Sequence, residues 1–591
     1  MTPQQQNASE QQRTRQRPCG RIAGFVPLNP TMASASPPSA SNSSSGVSPA
    51  SVCHQQNSLR AAIHKTLGDD CQWLDEDTAL VVDHDTCSLH DRPLVTTSDW
   101  QSVVDEERLA EIDGAAFVIA CRERAGGVQL ARDAVGERTL FYTETRAGLL
   151  FASSVRALLA TGLVPFEIDP VSVATYLTYA YLPGRATMVR GVYELLPGEW
   201  VRYRAGQLSR GFYWRLPREP QRWESELELR VGLRAALEAA VKRRITGQSV
   251  IGASLSGGLD SSLVVALARH LHDGPLHTYS ISFGAEYRNE LEFSSLVAQH
   301  CGTRHRILEF SPTNILTSLD DTMRQLSDPI GDPLTVPNWL LFKEAAGDVA
   351  VVLNGEGGDP CFGGPKNLPM LLAELYGGGA SDYHRERSYL RAHLKCYDDL
   401  SRMLASPVVE LLADQPLEHW LAQRFRDPRW QGFVTRLQAL NIEFKAGHHI
   451  LPKVDALSFA HGLLPRAPLF DRAVVEYSFR IPGQLKLSGS VEKYLLKRAV
   501  EDLLPRAILE RPKSGMLVPV EGWFRGPLAT AAKERLLDRA PLTELVRRDY
   551  LQNLLDGKLG GLRPRHGAKI WLLLTLESWL HGHRPSSTVA R

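Results

Sequence analysis

The chain has 591 residues with 67 Lys and Arg against 66 Asp and Glu, a net charge of +1. That length provides for two or three domains with their own cores, and the balanced charge excludes the single-sign field that collects nucleic acid or an anionic membrane surface. The eight cysteines, at 19, 53, 71, 87, 121, 301, 361 and 396, form no C-x-x-C pair, which argues against a zinc site or disulfide framework and fits reduced thiols in the cytoplasm.

Residues 1–18 are rich in Gln and Arg, and residues 31–58 in Ser, Pro and Ala. Neither stretch can bury enough apolar surface to fold alone, so the first reads as a disordered tail and the second as a linker. No signal-peptide pattern opens the chain, and no apolar run approaches the roughly 18 residues of a membrane helix, so no membrane partner is expected. Between the two polar stretches lies an apolar island, Ile22–Val26. A first folded region then runs to about residue 215, with strand-like pieces at Ala79–Val82, Ala116–Ile119 and Leu149–Phe151. A second begins near Glu224 with a helix and then alternates. Ser249–Leu255 is a β-branched strand, Leu263–Ala268 a helix, His277–Phe283 a strand, Glu292–Cys301 a helix and Val349–Leu353 a strand. That alternation predicts an α/β fold, a doubly wound parallel sheet that takes ligands at the carboxyl ends of its strands. From about residue 370 the pattern is helical and predicts a lobe closing over the sheet.

The most informative turn joins the strand at 249–255 to its helix: Ser256-Gly257-Gly258-Leu259-Asp260-Ser261-Ser262. Unpaired N–H groups and the positive end of the helix dipole face an anion there, and glycines let a phosphate approach the backbone. Ser256, Ser261 and Ser262 add hydroxyls. A carboxylate beside phosphates repels them unless it holds Mg²⁺, so Asp260 implies Mg·ATP or its pyrophosphate. No lysine follows the glycines, which sets the turn apart from G-x-x-x-x-G-K-[ST] loops. It resembles the pyrophosphate loop of ATP pyrophosphatases, which cleave ATP between its α- and β-phosphates.

A second loop follows Leu353: Asn354-Gly355-Glu356-Gly357-Gly358-Asp359-Pro360-Cys361-Phe362-Gly363-Gly364. With the first it resembles the asparagine synthetase family. Asp328–Pro333 looks like that family's E-P-x-x-D-P, Arg466–Asp471 like R-x-P-F-L-D, Lys493–Lys497 like K-Y-x-L-R, and Arg511–Met516 like R-x-K-x-G-F. Upstream, Leu130–Tyr142, Phe151–Leu159 and Leu196–Gly198 are similar to the family's glutaminase-type domain. The resemblance implies an α+β Ntn-hydrolase-like sandwich over 19–215, then an ATP-pyrophosphatase domain over 224–585.

Family members adenylate a carboxylate with ATP, release pyrophosphate, and let an amine displace AMP. On that resemblance Asp260 and Asp359 are the Mg²⁺ ligands and Lys513 the catalytic lysine, its ammonium stabilising charge near the α-phosphate. Gly257, Gly258 and Gly355 belong to the nucleotide cradle, and Lys493 is placed to reach a phosphate. Glu356 is the candidate base for the attacking amine. Glu290 and Asp332 are further candidates for adenosine or metal contacts.

Two departures bear on the substrate. Active glutaminases of the family begin with a cysteine whose free amine is the base. The equivalent here, Cys19-Gly20-Arg21-Ile22-Ala23-Gly24, follows 18 residues and carries an extra arginine, and no R-G-P-D or N-G-E segment comes after it. A degenerate glutaminase is expected. Leu464 also stands where the family has an acid, Pro360 replaces a usual Glu and Cys361 a usual small residue, which points away from free aspartate. These departures resemble the β-lactam synthetases and lasso peptide macrolactam cyclases. The preferred expectation is a macrolactam synthetase whose partners are a precursor peptide and a leader-processing protein. The alternatives are an asparagine synthetase, expected as a homodimer, and a non-catalytic scaffold.

Overall fold

The computed structural model describes residues 21–27, 49–68, 70–74, 78–90, 92–114, 116–123, 126–220, 222, 224–364, 384–393, 395–512, 515–538, 540–560 and 565–584. They form two compact units, one from Arg21 to Glu167 with Gly184–Arg215, the other from Ile168–Pro183 with Leu216–Gly582.

In the first unit, Ile22–Pro27 is the strand expected from the apolar island, flanked by Gly148–Ala152 and Gln72–Leu74 in a five-stranded sheet. A second five-stranded sheet runs Gln207–Phe212, Glu199–Arg204, Val128–Arg132, Phe117–Arg122, Leu80–His84, antiparallel throughout. Ile22, Leu149 and Phe151 of one sheet share a buried core with Val118, Leu130 and Val201 of the other. Beyond the second sheet, Trp100 and Val103 of the helix Thr97–Asp105 pack on Leu80, Val82 and Ile119. The helices Pro49–Leu67 and Val155–Ala160 meet one another and touch the first sheet. The layers are thus helix, sheet, sheet, helix, the sandwich expected. One boundary moves. The helix Pro49–Leu67 begins inside the stretch 31–58 read as a linker, because Leu59 and Ile63, four apart, give it a buried stripe that the Ser and Pro content hides.

The second unit is built on a five-stranded, wholly parallel sheet in the order Arg304–Glu309, Leu276–Ser282, Ile251–Ser254, Val351–Leu353, Leu464–Arg466. Counted along the chain, that order is 3-2-1-4-5. The direction of winding reverses between Ile251–Ser254 and Val351–Leu353, and such switch points open the crevice in which doubly wound sheets bind ligands. The two glycine-rich loops leave these two strands. Helix Glu226–Ile245 precedes the sheet, begun by a Ser225–Glu228 capping box. The rest is mainly helical, with one small hairpin of Leu487–Ser488 and Val491–Glu492 and a cluster of Tyr179, Tyr389, Phe425, Leu437 and Phe444. Two strands of the parallel sheet were not foreseen. Arg304–Glu309 is a charged, largely exposed edge, and Leu464–Arg466 is three residues around a proline, so neither carries the apolar run of a central strand.

Candidate active site

The first loop enters the helix Leu259–Leu271 directly, so Asp260, Ser261 and Ser262 lie in its first turn, earlier than the expected start at Leu263. Gly257 takes φ +77°, and a Cβ there would sit 2.6 Å from the Ser294 nitrogen and 3.0 Å from the Glu290 carbonyl oxygen. Only glycine fits that turn. Ser261 Oγ accepts the Ser256 N–H at 3.2 Å and donates to the Gly258 carbonyl at 3.2 Å, drawing the loop over the helix start. A helix leaves the N–H groups of its first turn without partners from within the helix and puts the positive end of its dipole at this loop.

The second loop turns at Asn354, whose Oδ1 accepts the Glu356 N–H at 3.1 Å, and at Gly357, where φ is +114°, before the short helix Gly358–Phe362. The loops interlock through glycines. A Cβ on Gly355 would lie 2.5 Å from Ser261 Cα and 2.7 Å from the Asp260 carbonyl carbon, and one on Gly358 2.7 Å from Asp260 Oδ2. This close approach brings Asp260 beside the Asp359 turn. Lys493, at φ +53° just before the helix Tyr494–Ala499, completes the group. Its ammonium donates to Asp260 Oδ1 and Oδ2 at 2.8 and 2.6 Å and meets Asp359 Oδ1 at 2.5 Å.

Two carboxylates sharing one cation form a cation-holding pair, and hard oxygen donors beside a phosphate cradle suit Mg²⁺, which takes one or two carboxylates and completes its shell with phosphate and water. No cluster of three or more His, Cys, Asp or Glu suited to a metal gathers among the described residues. Lys493, expected to reach a phosphate, is 1% exposed and ion-paired with both carboxylates.

A cavity of about 240 Å³ opens over the interlocked loops, lined by Ser256, Gly258, Asp260, Ser261, Gly355 and Asp359. Glu356 lines the same cavity, as do Leu255 and Ile281 from the ends of neighbouring strands. Ser262 does not: it is wholly buried, and its hydroxyl finds no hydrogen-bond partner among the described residues. Lys513 and Cys19 lie outside the described residues. Lys445, which the sequence did not single out, also lines the cavity, from the π-helix Asn441–Ile450. Wide turns of this kind recur at functional sites but leave no residue-type signature.

Glu290 and Asp332 each face a cation of the protein. Arg511 binds Glu290, and Lys453 Nζ donates to Asp332 at 2.7 Å with His449 Nε2 at 3.4 Å. Burial pushes the Asp332 carboxyl up, but Lys453 and His449 hold it well below the usual carboxylate range. Burial pushes the His449 imidazole down to about 4 despite Asp332. The unfolded chain protonates this histidine nearer 6.5, so the unfolded state binds more protons between those values and stability falls as pH drops through that window. The urea-unfolding free energy should therefore fall between pH 7 and pH 5 by about 2 kcal/mol more than in His449→Gln. Equal losses in both proteins would contradict this assignment.

Arg466 and Asp471, matched to R-x-P-F-L-D, are structural. Arg466 donates to the Arg244 carbonyl, while Asp471 caps the helix Arg472–Phe479 and pairs with Arg244 at 2.5 Å and Arg243 at 2.8 Å.

A 3-2-1-4-5 parallel sheet with glycine-rich loops at its switch point has the architecture of the ATP-pyrophosphatase fold. Comparison with known proteins agrees. The family model for asparagine synthase matches residues 232–581, and that for a glutamine amidotransferase domain matches residues 100–214. The chain belongs to the asparagine synthase family and is an ATP-dependent ligase that forms C–N bonds. It is 26% identical over 475 residues to glutamine-hydrolyzing asparagine synthetase 1 of Bacillus subtilis, covering 76% of this chain and 74% of that one. It is 28% identical over 480 residues to a putative glutamine-hydrolyzing asparagine synthetase of Mycobacterium bovis, covering 76% and 73%. Among solved structures, an NH3-dependent NAD synthetase from Campylobacter jejuni aligns with 34% of this chain and 96% of its own at 15% identity and a TM-score of 0.18.

Proposed function

We propose that the chain closes an amide within one substrate molecule, as a macrolactam synthetase acting on a precursor peptide with ATP and Mg²⁺. Asp260 and Asp359 would hold the ion, whose charge would offset that of the departing pyrophosphate. The N–H groups and hydroxyls of Ser256, Gly257, Gly258, Ser261 and Gly355 receive the phosphates, and Lys493 adds a neighbouring positive charge. The peptide carboxylate attacks the α-phosphate and pyrophosphate leaves. The peptide's own amine then attacks the acyl carbon, AMP leaves, and Glu356 takes the proton. Lys513 stabilises the charge that builds at the α-phosphate in the first step and on the oxyanion in the second.

One observation carries the choice of an internal amine over ammonia from glutamine. Arg21, the residue absent from C-G-I-A-G, is buried at the start of the strand Ile22–Pro27, its guanidinium 3.5 Å from Asp83, which Arg138 approaches at 3.3 Å. Arg21 comes two residues after Cys19 in the sequence, and charges so buried and paired are costly to separate. The names of the relatives favour a second reading, asparagine synthesis. Mass spectrometry decides between them: with ATP and a linear precursor peptide, loss of one water from the peptide supports the proposal. Asparagine from aspartate with glutamine or ammonia, and an unchanged peptide, would overturn it.

A further inference from the structure

Arg511 stands two residues before Lys513 in the sequence, yet its own side chain reaches the pyrophosphate loop. Nη1 donates to the Gly257 carbonyl at 2.8 Å, Nη2 binds the Glu290 carboxylate, and the guanidinium lies over the Phe293 ring, 3.8 Å from its centroid. Both partners of the ion pair are about nine-tenths buried, with side-chain exposures of 10% and 9%. The three contacts tie the Gly257 carbonyl to the side chains of Glu290 and Phe293 at the start of the next helix.

Gly257 is the glycine that turns the cradle: it is held in the left-handed region, and its carbonyl accepts a hydrogen bond from the Arg511 guanidinium. The Glu290 carbonyl and the Ser294 nitrogen close off the space behind it. Glu290 itself ends the segment that leads into the helix Leu291–His300. A planar fork with several fixed donors can serve a backbone carbonyl and a carboxylate together and stack on a ring, which an ammonium cannot. We infer that Arg511 is a positioning residue for ATP: it clamps Gly257 and Glu290 to one another, so that the loop between them presents its N–H groups already oriented for the pyrophosphate. Glu290 thereby serves as the anchor of the clamp, not as an adenosine or metal ligand.

The inference rests on the ATP-binding role of this site and not on which carboxylate or amine is joined, so the test uses ATP with Mg²⁺ alone as probe. Calorimetry should show ATP affinity falling roughly 10- to 100-fold in Arg511→Gln, the range of a lost charge-assisted hydrogen bond. Arg511→Lys, which keeps the charge but loses the fork, should fall between wild type and Arg511→Gln. Glu290→Gln keeps an acceptor and should lose less than Arg511→Gln. Amide exchange by mass spectrometry should rise in the peptide spanning 256–262 and stay unchanged in the sandwich strands. In turnover assays the loss should appear in KM for ATP and not in kcat. ATP affinity at the wild-type level in Arg511→Gln, or Arg511→Lys restoring it in full, would overturn the clamp. So would a loss that follows a general rise in exchange across the chain. Failure of every variant, wild type included, to bind ATP would instead count against the nucleotide site itself.

Discussion

Asp260→Asn should lower ATP-dependent pyrophosphate release by roughly 1000-fold while the protein stays folded. The substitution keeps the shape of the side chain and an oxygen for Lys493, but removes one of the two charges that Asp260 and Asp359 offer to a shared cation. A departing pyrophosphate needs that charge compensated, and several kcal/mol of transition-state stabilisation correspond to about three powers of ten. The asparagine is the informative replacement. Alanine would leave the buried ammonium with a single partner and confound catalysis with stability. Quenched-flow measurement of pyrophosphate, with circular dichroism as the check on folding, tests it. Release within a few-fold of wild type would remove Asp260 from the metal site.

Gly355→Ala should be nearly as damaging for a different reason. Its Cβ would press on the Ser261 Cα and the Asp260 carbonyl carbon, which are backbone atoms of the opposite loop and cannot rotate away. The loops would have to part, moving Asp260 from Asp359, and overpacking of this kind costs about 1–3 kcal/mol of stability. A displacement of about 1 Å at reacting groups costs on the order of 100-fold in rate. Gly258→Ala is the matched control. There φ is −76°, and a Cβ would meet only the Ser256 hydroxyl, at 3.4 Å. Thermal melting should separate the two, with Gly355→Ala lowered and Gly258→Ala unmoved. Unaltered activity and melting in Gly355→Ala would contradict the interlocked loops.

The sheet and its two loops were legible because they rest on local chemistry. A short β-branched run, glycines where the backbone must turn, and a helix start make a recognisable unit, and Ile251–Ser254 and Val351–Leu353 fall inside the strands expected from it. The carboxylate pair was legible as two acids on two such loops. Lys493 was found as a residue but not in its place, because a left-handed backbone at a helix start, which turns the side chain inward, has no signature in a lysine. Lys445, the contacts of Arg511 with Gly257 and Glu290, and those of Asp332 with Lys453 and His449 escaped for a related reason. Their partners lie far along the chain, and only the packing of helices on the sheet brings them together. The helix Pro49–Leu67 shows the opposite error, where composition outweighed a two-residue apolar stripe.

Cleavage of ATP at its α-phosphate is what drives the proposed amide closure, and phosphorus NMR of the nucleotide products follows it while the wild-type protein acts on ATP, Mg²⁺ and a linear precursor peptide. AMP and pyrophosphate should appear in equal amounts, one of each for every water lost from the peptide. ADP and phosphate as the products, or peptide closure without ATP cleavage, would contradict it.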